Sequence, residues 1–328
     1  MNKKNMYSTP VIVLAIIGAC FAVIGNIAAI GSSVYRIVAV SREVSLYGDD
    51  HGTDAWYDDY DSYEDGDAEE YTEEDLKGVD PSTEALTGIE SYEEEGTTVT
   101  VKSDSYSLYR EAGDGGEIYF DVQYPVISGT DETLTETINQ KIQGVAMVSA
   151  DKYYLDVQGR SQIKAGEYGT YIVSEVTYNI TYLSNDFISV VFEDNYCKGD
   201  YNMHYIDMRS CNIDLKTGTV YDLGQTVSDQ NDLAEDFQEE LDDKYQTNEV
   251  IYGIDTAEYA DMITGEPGPD DSFMGFYRTK DGVELFVTFH YITDDGYSVG
   301  WLTAPYSMDH IKDYQNDSTF WTILGQSE

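Results

Sequence analysis

Between Tyr171 and Tyr182 the chain alternates: Ile172, Val176, Tyr178, Ile180 and Tyr182 fall on one side, Glu175, Thr177, Asn179 and Thr181 on the other. Period-two alternation is that of a strand with one buried face. The apolar run Phe187 to Phe192 reads as its buried neighbour, and Thr98 to Lys102 and Ile118 to Tyr124 alternate as further strands. After Ser128-Gly129 the period changes: Leu134, Ile138, Ile142 and Val145 share one helical face, with Asp131 and Glu132 in the first turn. A second helix is signalled by Ser228 as cap and by Leu233, Phe237, Leu241 and Tyr245, four apart. Phe276 to Lys280 and Val283 to Tyr291 flank Asp281-Gly282, a pair suited to the positive backbone angles of a tight hairpin turn. The pattern predicts an α+β domain over 98–328, an antiparallel sheet with packed helices, in an N-terminal part (98–220) and a C-terminal module (221–328).

The first hundred residues have a different character. Val11 to Ile30 is almost wholly apolar, about the twenty residues a bilayer crossing needs. It predicts one transmembrane helix at 11–34 after a short cytoplasmic tail, 1–10, where Lys3 and Lys4 favour the inside. A cleaved signal peptide is the rival reading, since Ala28-Ala29-Ile30-Gly31-Ser32 supplies small residues. From 43 to 96 about twenty acidic side chains accompany one lysine. Such a segment repels itself and buries too little apolar surface to order, so it predicts a disordered acidic stalk. The domain beyond would then be displayed extracellularly at the cell membrane of a single-pass protein.

Charge narrows the partners. With 18 basic against 63 acidic side chains the net charge is −45, a field that repels nucleic acid and attracts basic proteins. No nucleophile elbow, zinc-protease helix, phosphate loop or dinucleotide fingerprint occurs. The sequence therefore points away from an enzyme, and no cofactor or metal is expected. Tyr201, His204, Tyr205, Tyr291 and Trp301 are the candidate recognition residues, because tyrosine pairs a large apolar face with a hydroxyl. Cys197 and Cys211 flank a stretch that closes a loop if it folds back, making a disulfide the leading reading. Two unpaired thiols or a metal pair are its alternatives.

Three stretches together resemble a known family. "FDVQYPVISGTDETLTETINQKI", "VTYNITYLSNDFISVVFEDNY" followed by "NIDLKTGTVYDL", and "FYRTKDGVELFVTFHYI" with "APYSMDHI" are similar, in that order, to the extracellular domain of lysozyme-sensing anti-sigma-V factors and to the N-terminal region of a class of peptidoglycan deacetylases. The resemblance implies an antiparallel α+β domain and recognition at the bacterial cell envelope, of a cationic protein such as lysozyme or of a cell-wall component. Two departures from the family are expected: the roughly ten residues ahead of the apolar segment leave no room for a domain that would hold a sigma factor, and no deacetylase domain is expected after the C-terminal module. Where the family has Gly-Gly-Ala-His, this chain has Lys198 to His204, so only His204 corresponds. The alternative function is a cell-wall polymer hydrolase using paired carboxylates, which demands two carboxyls about 5 to 9.5 Å apart.

Overall fold

The computed structural model describes residues 86–245, 251, 253–268, 271–293 and 296–325, except for the side chains of residues 291–298. They fall within one compact unit, Glu70–Glu328. Six strands make the larger sheet: β1 (Tyr92–Glu93), β2 (Thr100–Glu111), β3 (Glu117–Ser128), β4 (Tyr171–Leu183), β5 (Phe187–Gly199) and β6 (His204–Asp214). Their order is β2-β3-β4-β5-β6, with β1 also beside β4. β2/β3, β4/β5 and β5/β6 are antiparallel, whereas β3/β4 and β1/β4 are parallel. A parallel pair cannot be joined by a hairpin. The crossover from β3 to β4 therefore carries α1 (Glu132–Ala146), a π-helical turn at Asp151–Leu155 and α2 (Val157–Gln162).

One face of this sheet is closed by α1. Ile138 and Ile142 of the helix bury against Phe120, Val122, Val176, Val190 and Phe192 of the strands. Asp131 starts the helix by accepting from the backbone N–H of Thr133 and Leu134. The alternation of β4 holds only as far as Ile180: a register shift between Ile180 and Tyr182 turns Tyr182 to the opposite face, where it joins Phe187 and Tyr221. A bulge inserts one residue and reverses every side chain beyond it.

Three strands, β7 (Phe273–Arg278), β8 (Gly282–Thr293) and β9 (Gly296–Ser307), form a second, antiparallel sheet. Its core face is covered by α3 (Gln230–Tyr245), α4 (Thr256–Thr264), α5 (Met308–Ile311) and α6 (Thr319–Leu324). Leu233, Phe237, Leu241 and Tyr245 line α3 as the spacing predicts. Its first turn is capped by Asp229, whose carboxylate accepts from Asp232 N at 3.3 Å, and not by Ser228, which binds the Tyr314 carbonyl instead. The predicted hairpin between β7 and β8 is present. Gly282, however, does not have a positive φ. It is required by crowding, since a Cβ there would stand 2.0 Å from the Tyr306 carbonyl oxygen.

The second sheet packs on the face of the first that lies opposite α1. Val191 and Met208 meet Tyr277, Phe286 and Trp301. A short polar relay joins the two sheets: Arg278 N donates to Ser189 Oγ at 3.0 Å, Ser189 Oγ to Asn212 Oδ1 at 2.7 Å, and Asn212 Nδ2 to the Phe276 carbonyl at 2.8 Å. Thr288 Oγ1 accepts from Met208 N at 2.9 Å and donates to Met208 O at 3.0 Å, closing part of the outer edge of β6. Further along that edge, Tyr221 N donates to Asn212 O and Asp214 N to Thr219 O.

The expected architecture is corrected on three points. The larger sheet is mixed, because β3 and β1 both run parallel to β4. No helix among the described residues is long and apolar enough to cross a membrane, and the stretch 11–34 assigned to one lies outside them. Most of the acidic stretch 43–96 lies outside them too, but its end is folded: Leu86 is buried beside Met208 and Trp301, and β1 pairs with β4. There Leu86, Ile89 and Tyr92 recur every three residues and anchor a segment whose acid content suggested disorder.

Candidate functional site

The part of the larger sheet that neither α1 nor the second sheet covers carries the outward residues of four neighbouring strands. In register these are Tyr119 and Asp121 of β3, Tyr171, Val173 and Glu175 of β4, Asn195 and Cys197 of β5, and His204 and Ile206 of β6. Tyr201 in the β5–β6 turn folds over them, its ring centroid 5.0 Å from Tyr171 and 5.4 Å from His204. Asp121 and Glu175 are direct partners across the parallel pair. Glu193, one step further along β5, accepts from Trp301 Nε1 at 3.0 Å where the second sheet begins. An open face thus gathers three half-buried carboxyls, three tyrosines and one histidine.

Its electrostatics are those of acids short of a cation. Burial raises the Asp121 carboxyl, and it raises Glu175 too, with the neighbouring Asp121 adding to the shift. Glu193 is raised by burial, against the indole N–H that favours its charged form. Tyr119 is pushed up to about 12 by burial, then by the charges of Asp121 and Glu175. Burial lowers His204 in spite of a hydrogen bond to the Tyr201 backbone, so the imidazole is neutral at pH 7 and adds no positive charge. Among the described residues no ion pair involves any of the three carboxyls.

The predicted recognition residues divide. Tyr201 and His204 meet on the open face, and Trp301 borders it through Glu193. Tyr205 points to the opposite face: its ring stacks on Tyr196 at 5.1 Å and packs 4.6 Å from Lys198 Nζ, which also lies over Tyr153 at 5.3 Å. That cluster holds the protein's own lysine. The side chain of Tyr291 lies outside the described residues. Asp121, Glu175, Glu193, Tyr119 and Tyr171 were missed because a parallel β3/β4 pair brings them together, and no local pattern encodes that pairing.

The disulfide is corrected. Cys197 and Cys211 are both free and buried. β5 and β6 form one continuous hairpin in which Cys197 pairs with His204 and Cys211 with Val190. Cys211 therefore stands seven residues beyond Cys197's partner, about 23 Å at roughly 3.3 Å per residue, and faces the other side of the sheet. Burial pushes both thiols up to about 12. A thiol-reactive reagent is accordingly expected to leave both unmodified in the folded chain at neutral pH and to label both in denaturant. Rapid labelling of either one without denaturant would contradict this geometry.

No family model and no curated protein matches the chain. Among solved structures it is similar to a DUF3298 family member from Bacteroides fragilis NCTC 9343, with 15% identity, 71% of this chain and 99% of that one covered, and a TM-score of 0.43. It is also similar to a DUF3298 family protein from Pseudomonas aeruginosa PAO1, with 11% identity, coverages of 67% and 95%, and a TM-score of 0.37. Likeness at that level assigns no function.

Proposed function

We propose that the chain is an extracellular binding module of a bacterial envelope, and that its open sheet face takes a cationic group from a basic protein without transforming it. The observation that carries this is the set of half-buried carboxyls, Asp121, Glu175 and Glu193, beside Tyr119, Tyr171 and Tyr201. A lysine or arginine head laid there would gain charge-assisted hydrogen bonds and aromatic faces at once. The net charge of −45 would steer such a partner toward the molecule. The sequence resemblance supplies the probe, a basic lysozyme.

Titration of the full chain with that lysozyme at two salt concentrations is expected to show saturable binding that weakens as salt rises, because the partner's approach is electrostatic. No binding at low salt would remove lysozyme as the partner. The same carboxyls are what a wall-polymer hydrolase would use, so the chain should also be incubated with purified peptidoglycan. Release of soluble fragments would replace the binding reading with the hydrolytic one.

A further inference from the structure

The open face continues past β3 onto β2. Tyr109 of β2 is 49% exposed and lies directly opposite Tyr119 of β3, while Glu111 lies directly opposite Glu117. Tyr106 and Leu108 pack on the covered side, so Tyr109 and Glu111 share the uncovered one. The strand pairings then set the outward side chains in three rows across the sheet. Glu111 and Glu117 form the first, Tyr109, Tyr119 and Val173 the second, and Asp121 and Glu175 the third. An apolar row is thus flanked by two acidic ones. Glu117 and Asp121 are four positions apart on β3, which separates the acidic rows by about 13 Å at roughly 3.3 Å per residue.

Carboxylates directly opposite each other on neighbouring strands repel, and each such pair weakens a sheet. This face carries two, Glu111 with Glu117 and Asp121 with Glu175. Among the described residues none of the four is in an ion pair. Glu117 accepts from the Tyr109 hydroxyl at 3.5 Å, a long contact with a neutral group. The cations of the same strands are held behind the sheet: Arg110 Nη1 donates to the Tyr154 hydroxyl at 3.2 Å, and Lys198 lies among Tyr153 and Tyr205. Both acidic rows act on one ring, since Tyr201 is raised first by burial and then by charges that include Glu117 and Glu175. The charge that would relieve the two pairs has to come from a partner.

We infer that this face takes an extended basic segment lying along β3, with cationic side chains four residues apart for the two acidic rows and an apolar one midway for Tyr109 and Tyr119. The inference rests on the cation-binding reading above and specifies the partner's chemistry. An extended segment rises about 3.3 Å per residue and turns alternate side chains to one side, so its positions j, j+2 and j+4 match the three rows. Each cation meets a pair of carboxylates, and its apolar stem lies against the tyrosines between the rows.

Two end-blocked peptides of one composition test this on the full chain by calorimetry at low salt. Arg-Thr-Val-Thr-Arg presents both cations and the valine on one side, whereas Thr-Arg-Arg-Val-Thr turns its two arginines to opposite sides. Their equal charge means that the diffuse attraction of a chain carrying −45 acts alike on both. The spaced peptide is expected to bind at least about 3-fold more tightly, the scale of one more exposed ion pair. Glu111→Gln with Glu117→Gln, both at exposed positions, should abolish that preference, with circular dichroism to check the fold. Equal affinity of the two peptides, no peptide binding where lysozyme binds, or a preference that survives in the folded double variant would overturn the two-row footprint and leave the cation-binding reading standing. Failure of lysozyme and both peptides to bind would remove that reading, and this inference with it.

Discussion

Asp194→Ala is expected to destabilise the domain by about 3 to 5 kcal/mol, the usual cost of leaving one half of a buried ion pair alone. Asp194 is fully buried in β5 and is ion-paired with Arg209 of β6, itself 8% exposed. Ser174 Oγ donates to the same carboxylate at 2.7 Å. Burial pushes the Asp194 carboxyl up while the Arg209 charge pulls it down. A guanidinium stays charged in proteins, so it needs its counter-ion beside it. The Arg209 Nε and Nη1 have no hydrogen-bond partner, and the other acid whose charge acts on it, Asp207, is engaged by His290 Nε2 at 2.8 Å. Removing the Asp194 carboxylate therefore takes away the direct partner of a buried cation and leaves it only the more distant charge of Asp207. The double change Asp194→Leu with Arg209→Met removes both charges and should recover most of the loss, since apolar replacements of whole buried pairs are often neutral or better. Denaturant midpoints of the two variants check this, and a loss under about 1 kcal/mol for Asp194→Ala would show that the pair does not carry the stability assigned to it.

Neutralising the open face should move stability and binding in opposite directions. Asp121 and Glu175 have folded-state pKa values raised above the ordinary carboxylate range, so each holds its proton more tightly folded than unfolded. Their contribution favours folding below the unfolded pKa and is lost as pH rises through the raised folded value; above that, the two charges oppose folding. Asp121→Asn with Glu175→Gln is accordingly expected to raise the melting temperature at pH 7 and to leave it almost unchanged at a pH where the native acids are already protonated. The same double variant should bind a basic lysozyme at least about 10-fold more weakly at low salt, the equivalent of about 1.4 kcal/mol. A destabilised variant at pH 7 would mean that a cation within the chain already satisfies these acids. Undiminished affinity would move the binding surface elsewhere.

How much of this could be read from residues alone depended on range. The helix over Leu134 to Val145 and the run Leu233 to Tyr245 were legible because helical contacts recur within a turn. The β7–β8 hairpin was legible as a short-range pair, although the role of Gly282 was not, since the carbonyl that crowds it belongs to Tyr306. The reversal at Tyr182 escaped because a bulge leaves the local alternation intact while changing the face. Parallel pairing of β3 with β4 escaped for a deeper reason: Asp121 and Glu175 are brought together by a crossover through two helices. Tyr201 and His204 meet at short range, three residues apart across the β5–β6 turn. The disulfide failed on parity, which places residues fourteen apart on opposite faces once a tight turn intervenes.

The closure of the β6 edge by Thr288 and by the Thr219–Tyr221 return bears on self-association. A foreign strand seeking backbone partners would find those groups taken at Met208, Asn212 and Asp214. Among the described strands of the larger sheet the opposite border is β2, whose exposed residues include Lys102, Asp104, Arg110 and Glu111. On the larger sheet, docking of a second chain by strand addition is thus confined to a charged rim, the kind of border that discourages polymerisation.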